Sequence, residues 1–294
     1  MNTSDFPNYY QASDQASIDM QRKYLCIIMI DLFAMILAAA LAIYNYQTET
    51  SNLIFYIISG ILLLVSFIAS IILKTKKYED YWYQGRALAE SCKTLTWRFV
   101  CCSEYFEQNI DTTEVKRRFS ERIKELSNEF RDLSLIMNAR ILNRHIITDK
   151  MLEIRGLSLQ ERKKYYIQNR IEDQKTWYSD KAQYNIERYN NWFVAIIISQ
   201  FLSIIGAIIL IKYPLSSWNI VGLFTTISAS GLSWLQVKQH QELKQSYTTA
   251  AQELNFILSL SDEIDTENAF SKFVLDSENA ISREHTLWLA QKRK

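Results

Sequence analysis

Proline and glycine are nearly missing from this chain, which has two prolines, Pro7 and Pro214, and six glycines in 294 residues. So few breakers exclude a fold of short strands and tight turns. Apolar residues recur at helical rather than alternating spacing, so the chain reads as all-helical. Histidine is scarce too: His145, His240 and His285 stand far apart. No Gly-rich phosphate loop, G-x-S-x-G elbow or H-E-x-x-H pair occurs, so neither an enzyme nor a cofactor or metal is expected. Lys and Arg number 33 against 32 Asp and Glu, and without a basic field no long nucleic acid is expected as a partner. Cys26, Cys92, Cys101 and Cys102 match no common zinc spacing. No disulfide is expected in a reducing compartment, and Cys101 and Cys102 read as small apolar residues on or beside a helix.

Long apolar runs are what the chain does have. About 20 apolar residues in a helix span a hydrocarbon core of roughly 30 Å, and four windows fit: Leu25–Tyr44, Leu53–Leu73, Trp192–Ile211 and Trp218–Val237. They pair into two hairpins with short connectors, Asn45–Asn52 and Lys212–Ser217. No small-residue cleavage site follows the first window, so a cleaved signal peptide is not expected. The connectors carry only Lys212. The opposite flanks carry Arg22, Lys23, Lys74, Lys76 and Lys77, then Lys181, Arg188, Lys238 and Lys244. By the positive-inside rule both termini are cytoplasmic. Tyr44, Tyr46, Trp192, Tyr213 and Trp218 sit where an aromatic belt belongs.

The expected architecture is an all-α membrane protein, with four transmembrane helices in two hairpins, long cytoplasmic helical stalks and a helical cytoplasmic bundle. Its parts are a cytoplasmic N-terminal segment (1–24), hairpin one (25–73), a cytoplasmic helical region (74–191), hairpin two (192–237) and C-terminal cytoplasmic helices (238–294). The second and fourth spans run on without a breaker, so continuous helices are expected past the bilayer. Asp111 with Glu114 and Ser158 with Glu161 have capping-box spacing, the former opening a helix through Leu142, and Gly156 suits a helix end. A last amphipathic helix covers about Thr266–Gln291. The halves share a layout: compare "ALAESCKTL" (Ala87–Leu95) with "TAAQELNFI" (Thr249–Ile257).

In the fourth span Gly222, Thr226, Ala229, Ser233 and Gln236 fall on one helical face, and Ser199, Ser203 and Gly206 form a shorter stripe in the third. Such residues either let helices pack closely or line a water-filled path, which with four spans requires self-assembly or a rearranged activated state. Asp31 is the only formal charge inside a span. It either marks a function or reaches the headgroups beside Arg22 and Lys23. In the soluble part, Arg86, Trp97, Arg98, Arg117, Arg118, Arg140 and Arg144 supply guanidiniums for phosphate and a ring for stacking. The same residues also suit ordinary solvated helices.

With its four spans, its long insert between the pairs, and the stalk sequences "YWYQGRALAESCKTLTW" and "YTTAAQELNFI", the chain resembles the SMODS-associating four-transmembrane pore-forming effectors. A related two-span effector family shares the stalk pattern. The resemblance implies a multi-pass protein of the bacterial inner membrane that acts as a homo-oligomer in an antiphage system. A partner nucleotidyltransferase makes a cyclic oligonucleotide, and the effector responds by permeabilising the bilayer. A non-conducting scaffold that holds a partner through its cytoplasmic helices is the alternative; a transporter is less favoured, since ionisable residues other than Asp31 are missing from the spans.

Overall fold

The computed structural model describes residues 1–44, 52–214 and 219–292. The first connector, apart from Asn52, and the second from Leu215 onward lie outside the described residues, as do Tyr46 and Trp218. Every regular element among those described is helical: α1 (Asn8–Tyr44), α2 (Asn52–Lys76), α3 (Tyr78–Val100), α4 (Thr112–Glu129), α5 (Ala139–Leu142), α6 (Asp149–Arg155), α7 (Leu159–Tyr166), α8 (Asp173–Lys212), α9 (Val221–Lys238), α10 (His240–Ser259) and α11 (Glu267–Lys292). They form two compact units. Unit 1 comprises Met1–Gln21, Glu79–Ala182 and Gln245–Lys294, and unit 2 comprises Arg22–Tyr78 and Gln183–Lys244.

Local signals explain several helix ends. Asp111 caps α4 by accepting from the backbone N–H of Thr113 and Glu114, but Glu114 turns to Arg117 and Arg118 instead of closing the box. Ser158 and Glu161 form the full reciprocal box ahead of α7. Gly156 caps α6 in the right-handed conformation. The helix expected through Leu142 stops at Glu129, where Phe130 leaves helical geometry and a 3-10 turn, Arg131–Leu135, follows.

Two expected continuities fail, in the same way. Lys77 ends α2 and Gln239 ends α9, each with a φ of 49°. A single left-handed, non-glycine residue costs roughly 1–2 kcal/mol and redirects the chain. The helix entering the third span does run through. From Leu159 to Lys212 it is one helix of 54 residues, and it absorbs an extra residue in a π-helical turn at Ile167–Glu172.

Unit 1 holds the hydrophobic core. Trp97 stacks edge-on to Tyr166 at 5.7 Å, Tyr166 meets Phe270 and Phe273, and Phe99, Phe106 and Phe119 form a second aromatic group. The stalk sequences contribute small side chains that are fully covered, Ala87 and Ala89 from one and Ala250 from the other. At Gly85 a methyl group would sit 3.0 Å from the carbonyl of Ser13, so glycine lets α3 cross the start of α1 closely. All four cysteines are free. Cys92, Cys101 and Cys102 are buried, and burial pushes the Cys92 thiol up to about 12.

Arginines are built into this core. Arg170, on the π turn, makes a two-pronged ion pair with Glu278 of α11 at 2.9 and 2.7 Å, and the Tyr166 hydroxyl donates to the same carboxylate at 2.9 Å. Neither charged side chain is more than 2% exposed. Burial alone pushes the Arg170 pKa down; the Glu278 carboxylate more than offsets this and holds it above the usual range. Arg162 donates to the carbonyls of Leu157 and Cys101 and to Glu267 of α11. Removing one member of such a buried pair strands the other charge, at a typical cost of about 3–5 kcal/mol. Glu278→Ala therefore lowers the unfolding stability of the purified protein by that amount, while Arg170→Met with Glu278→Leu recovers most of it. Equal losses in the single and double variants would count against the pair as the cause.

Candidate functional site

Unit 2 gathers the apolar helices. Among the described residues, three have the length and hydropathy to cross a bilayer: Asn8–Ile43, Leu53–Lys76 and Leu159–Lys212. Large apolar side chains are exposed along them, among them Phe33, Leu53, Ile61, Phe67, Phe201 and Ile208, as suits surfaces that face lipid. α9, the described part of the fourth window, is not among the three. Its Ser, Thr and Gly content lowers its hydropathy, and the window's first residue lies outside the described segment.

The polar groups of these helices divide into two sets. In the first, contacts are made within the unit. The Ser66 hydroxyl of α2 donates to the Asp31 carboxylate of α1. Ser203 of α8 lies 3.0 Å from the Thr225 hydroxyl of α9. Gly206 and Gly231 are contact points: a methyl group on Gly206 would come within 2.8 Å of Ile220, and one on Gly231 within 2.9 Å of Ile196. Ser199 is buried and donates to its own helix at Ala195. α8 and α9 thus meet through Ser203, Gly206, Thr225 and Gly231.

The second set is the face marked by Gly222, Thr226, Ala229, Ser233 and Gln236. Ten residues make about three helical turns, and one step along the chain rotates a side chain by about 100°, so this face lies beside the α8 contact and not on it. A methyl group on Gly222 would have nothing within 4 Å. Ala229, Ser233 and Gln236 are exposed, and the Thr226 hydroxyl satisfies itself on the Gly222 carbonyl at 2.8 Å. Ser228, Ser230 and Gly231, interleaved with them, are the buried residues of α9.

The ligand candidates in unit 1 are dispersed. Trp97 is 2% exposed and packs in the core. Arg86 pairs with Glu90 at 2.9 Å. Arg117 and Arg118 both engage Glu114 on α4. Arg144 donates to Gln11 at 2.7 Å, tying its loop to α1. Arg140 is exposed on α5. Arg98 lines a cleft of about 280 Å³ together with residues that the sequence does not single out: Tyr105, Arg122 of α4 and Asn279 of α11. Nor does it single out the buried Arg162, Arg170 and Glu278. Glu278 falls four residues after the core residue Val274, itself four after Phe270; a carboxylate in that register is the one signal that could have found it.

At the start of α10, directly after the left-handed Gln239, His240 is 3% exposed and its Nδ1 lies 2.7 Å from the Asn185 side-chain oxygen. Burial, then the cations of Lys238 and Arg188, hold its pKa below the ordinary 6.5. A depressed histidine stabilises the fold fully above the unfolded pKa, and that stability drains away as pH falls below about 6.5 toward the folded value. The melting temperature of the purified protein therefore drops from pH 7.5 to 5.5 by more in the parent than in His240→Gln. Identical pH slopes would remove His240 from the account.

Two family profiles match the sequence. That of SMODS and SLOG-associating 2TM effector domain 3 covers residues 7–163, more than half of the chain, and that of SMODS and SLOG-associating 2TM effector domain 1 covers 166–288. They are of the two-span type, and each takes in one pair of apolar windows. No curated protein and no solved structure matches.

Proposed function

Because the chain belongs to the SMODS and SLOG-associating 2TM effector family, we propose that it is a multi-pass inner-membrane effector of a nucleotide-signalled bacterial defence system. On activation it permeabilises the bilayer as a homo-oligomer. Two 2TM domains in tandem give four spans with both termini cytoplasmic, α9 with Trp218–Ile220 being the fourth. A cyclic oligonucleotide from a partner nucleotidyltransferase is the trigger, and unit 1 receives it.

One observation carries this reading: the uncovered face of α9. Glycine, hydroxyls and Gln236 facing lipid forgo the close contacts and hydrogen bonds that make such residues favourable between helices. A second copy supplies those contacts in the resting membrane, and water replaces them when the assembly opens. Units 1 and 2 share α1 and the 54-residue helix, which offers a continuous path for a change begun in the soluble part. The ligand must bind the open arrangement more tightly than the closed one for any shift to occur. The scaffold alternative uses the same face for packing alone.

Dye release from liposomes holding the purified protein, titrated with cyclic di- and trinucleotides, separates the two. One of these nucleotides triggers release, and Ser233→Leu or Thr226→Leu abolishes it while insertion is unchanged. Release that persists in both variants would contradict the role of this face, and silence across the whole panel would favour the scaffold.

A further inference from the structure

Several arginines of unit 1 are tied into its core. Arg170 is locked in a buried ion pair with Glu278, Arg162 is itself buried and donates to two backbone carbonyls and Glu267, and Arg155 donates to the carbonyls of Phe99, Phe106 and Glu107. Arg98 and Arg122 differ. Their guanidinium carbons lie 5.2 and 4.7 Å from the ring centre of one residue, Tyr105. Tyr105 is 43% exposed and has a φ of 72°, a left-handed conformation uncommon for a bulky residue.

The carboxylate partners of the two arginines are weakly held. Arg98 reaches Glu104 at 3.3 Å and Arg122 reaches Glu125 at 2.8 Å, with the two carboxylate side chains 42% and 60% exposed. Exposed pairs of this kind contribute about 0–1 kcal/mol, so a phosphate that engages both guanidiniums displaces them readily. The Arg98 Nε is moreover buried with no hydrogen-bond partner.

The rest of the lining is of mixed character. Ser91 and Thr94 precede Arg98 by seven and four residues and so lie on the same face of α3, while Glu125 and Glu129 follow Arg122 on α4 and Asn279 adds an amide from α11. A bare inorganic anion leaves the carboxylate side without donors. A phosphate joined to an amino-bearing base fills both sides, because carboxylates accept from exocyclic amino groups. The volume, about 280 Å³, is just below the range of small-molecule sites, roughly 300–1,000 Å³, and suits one nucleotide unit rather than a whole oligonucleotide.

We infer that the cleft of Arg98, Tyr105 and Arg122 is a nucleotide-phosphate site, in which the two arginines on Tyr105 hold the phosphate and Glu125 with Glu129 receives the base. It deepens the nucleotide-signalled reading, and its role as the trigger site rests on that reading.

Equilibrium dialysis of the full chain in detergent tests it, with inorganic phosphate, AMP, cyclic dinucleotides of adenosine and guanosine, and short-chain phosphatidylglycerol as probes. A nucleotide probe binds the parent more tightly than inorganic phosphate or the lipid, and Arg122→Gln and Arg98→Gln each weaken it at least tenfold. Arg140→Gln leaves it unchanged. Arg122 is 43% exposed, so its variant keeps the fold, which an unaltered melting curve checks. Undiminished nucleotide binding in both variants overturns the site. So does arginine-dependent binding of phosphatidylglycerol alone, which would make it a lipid contact, and so does failure of the folded parent to bind any probe. Nucleotide-triggered liposome leakage that survives Arg98→Gln and Arg122→Gln overturns this site while leaving the effector reading intact. Loss of leakage in the parent itself strikes at that reading instead.

Discussion

Inside a bilayer a polar atom has no water to turn to, and the arrangement of unit 2 follows from that constraint. The backbone answers it by staying helical. Side chains answer it in three ways here: Ser66 donates to Asp31 across α1 and α2, Ser203 meets Thr225 across α8 and α9, and Ser199 and Thr226 fold back on their own carbonyls. Once these are satisfied, Ser233 and Gln236 on α9 are still exposed. In the proposed reading a second copy covers them, and this remainder is what supports self-assembly.

Unit 1 faces the opposite difficulty, since its charges are taken out of water. Arg162 and Arg170 are neutralised by Glu267 and Glu278 of the last helix, and Arg170 reaches its partner from a π turn. Such turns cluster at functional places in helices. Here the turn sits in the long helix shared by both units, and it carries the most deeply buried ion pair. Arg98 and Arg122 pair with exposed carboxylates and converge on Tyr105, and that convergence, not the number of arginines, is what singles out the cleft.

Much of this was legible in the sequence, and what was not has physical causes. Helicity, the lipid-facing helices, the Ser158–Glu161 box and the last helix are local signals, and each appears where residue type and spacing put it. The breaks at Lys77 and Gln239 were hidden, because neither lysine nor glutamine advertises a left-handed residue as glycine or asparagine does. Arg170 and Glu278 are 108 positions apart, so no window holds both. Trp97 beside Arg98 looks the same in sequence whether the indole stacks on a ligand or fills a core, and only the fold shows that the ring is buried while its neighbour lines a cleft. Within α9 the small residues were visible, but a rotation of about 100° per residue separates the face that meets α8 from the one that does not, and composition cannot make that distinction.

The central claim, that the uncovered face of α9 meets a second copy, can be read directly by cysteine cross-linking in membranes. In a chain with Cys26 replaced, a cysteine at Ala229 or Ser233 should form a disulfide-linked dimer under mild oxidation, while one at Ser228, buried within the same protomer, should not. Cross-linking at Ala229 and Ser233 with silence at Ser228 is the predicted pattern. No cross-linking at the exposed positions, in protein shown to be inserted, would contradict the account.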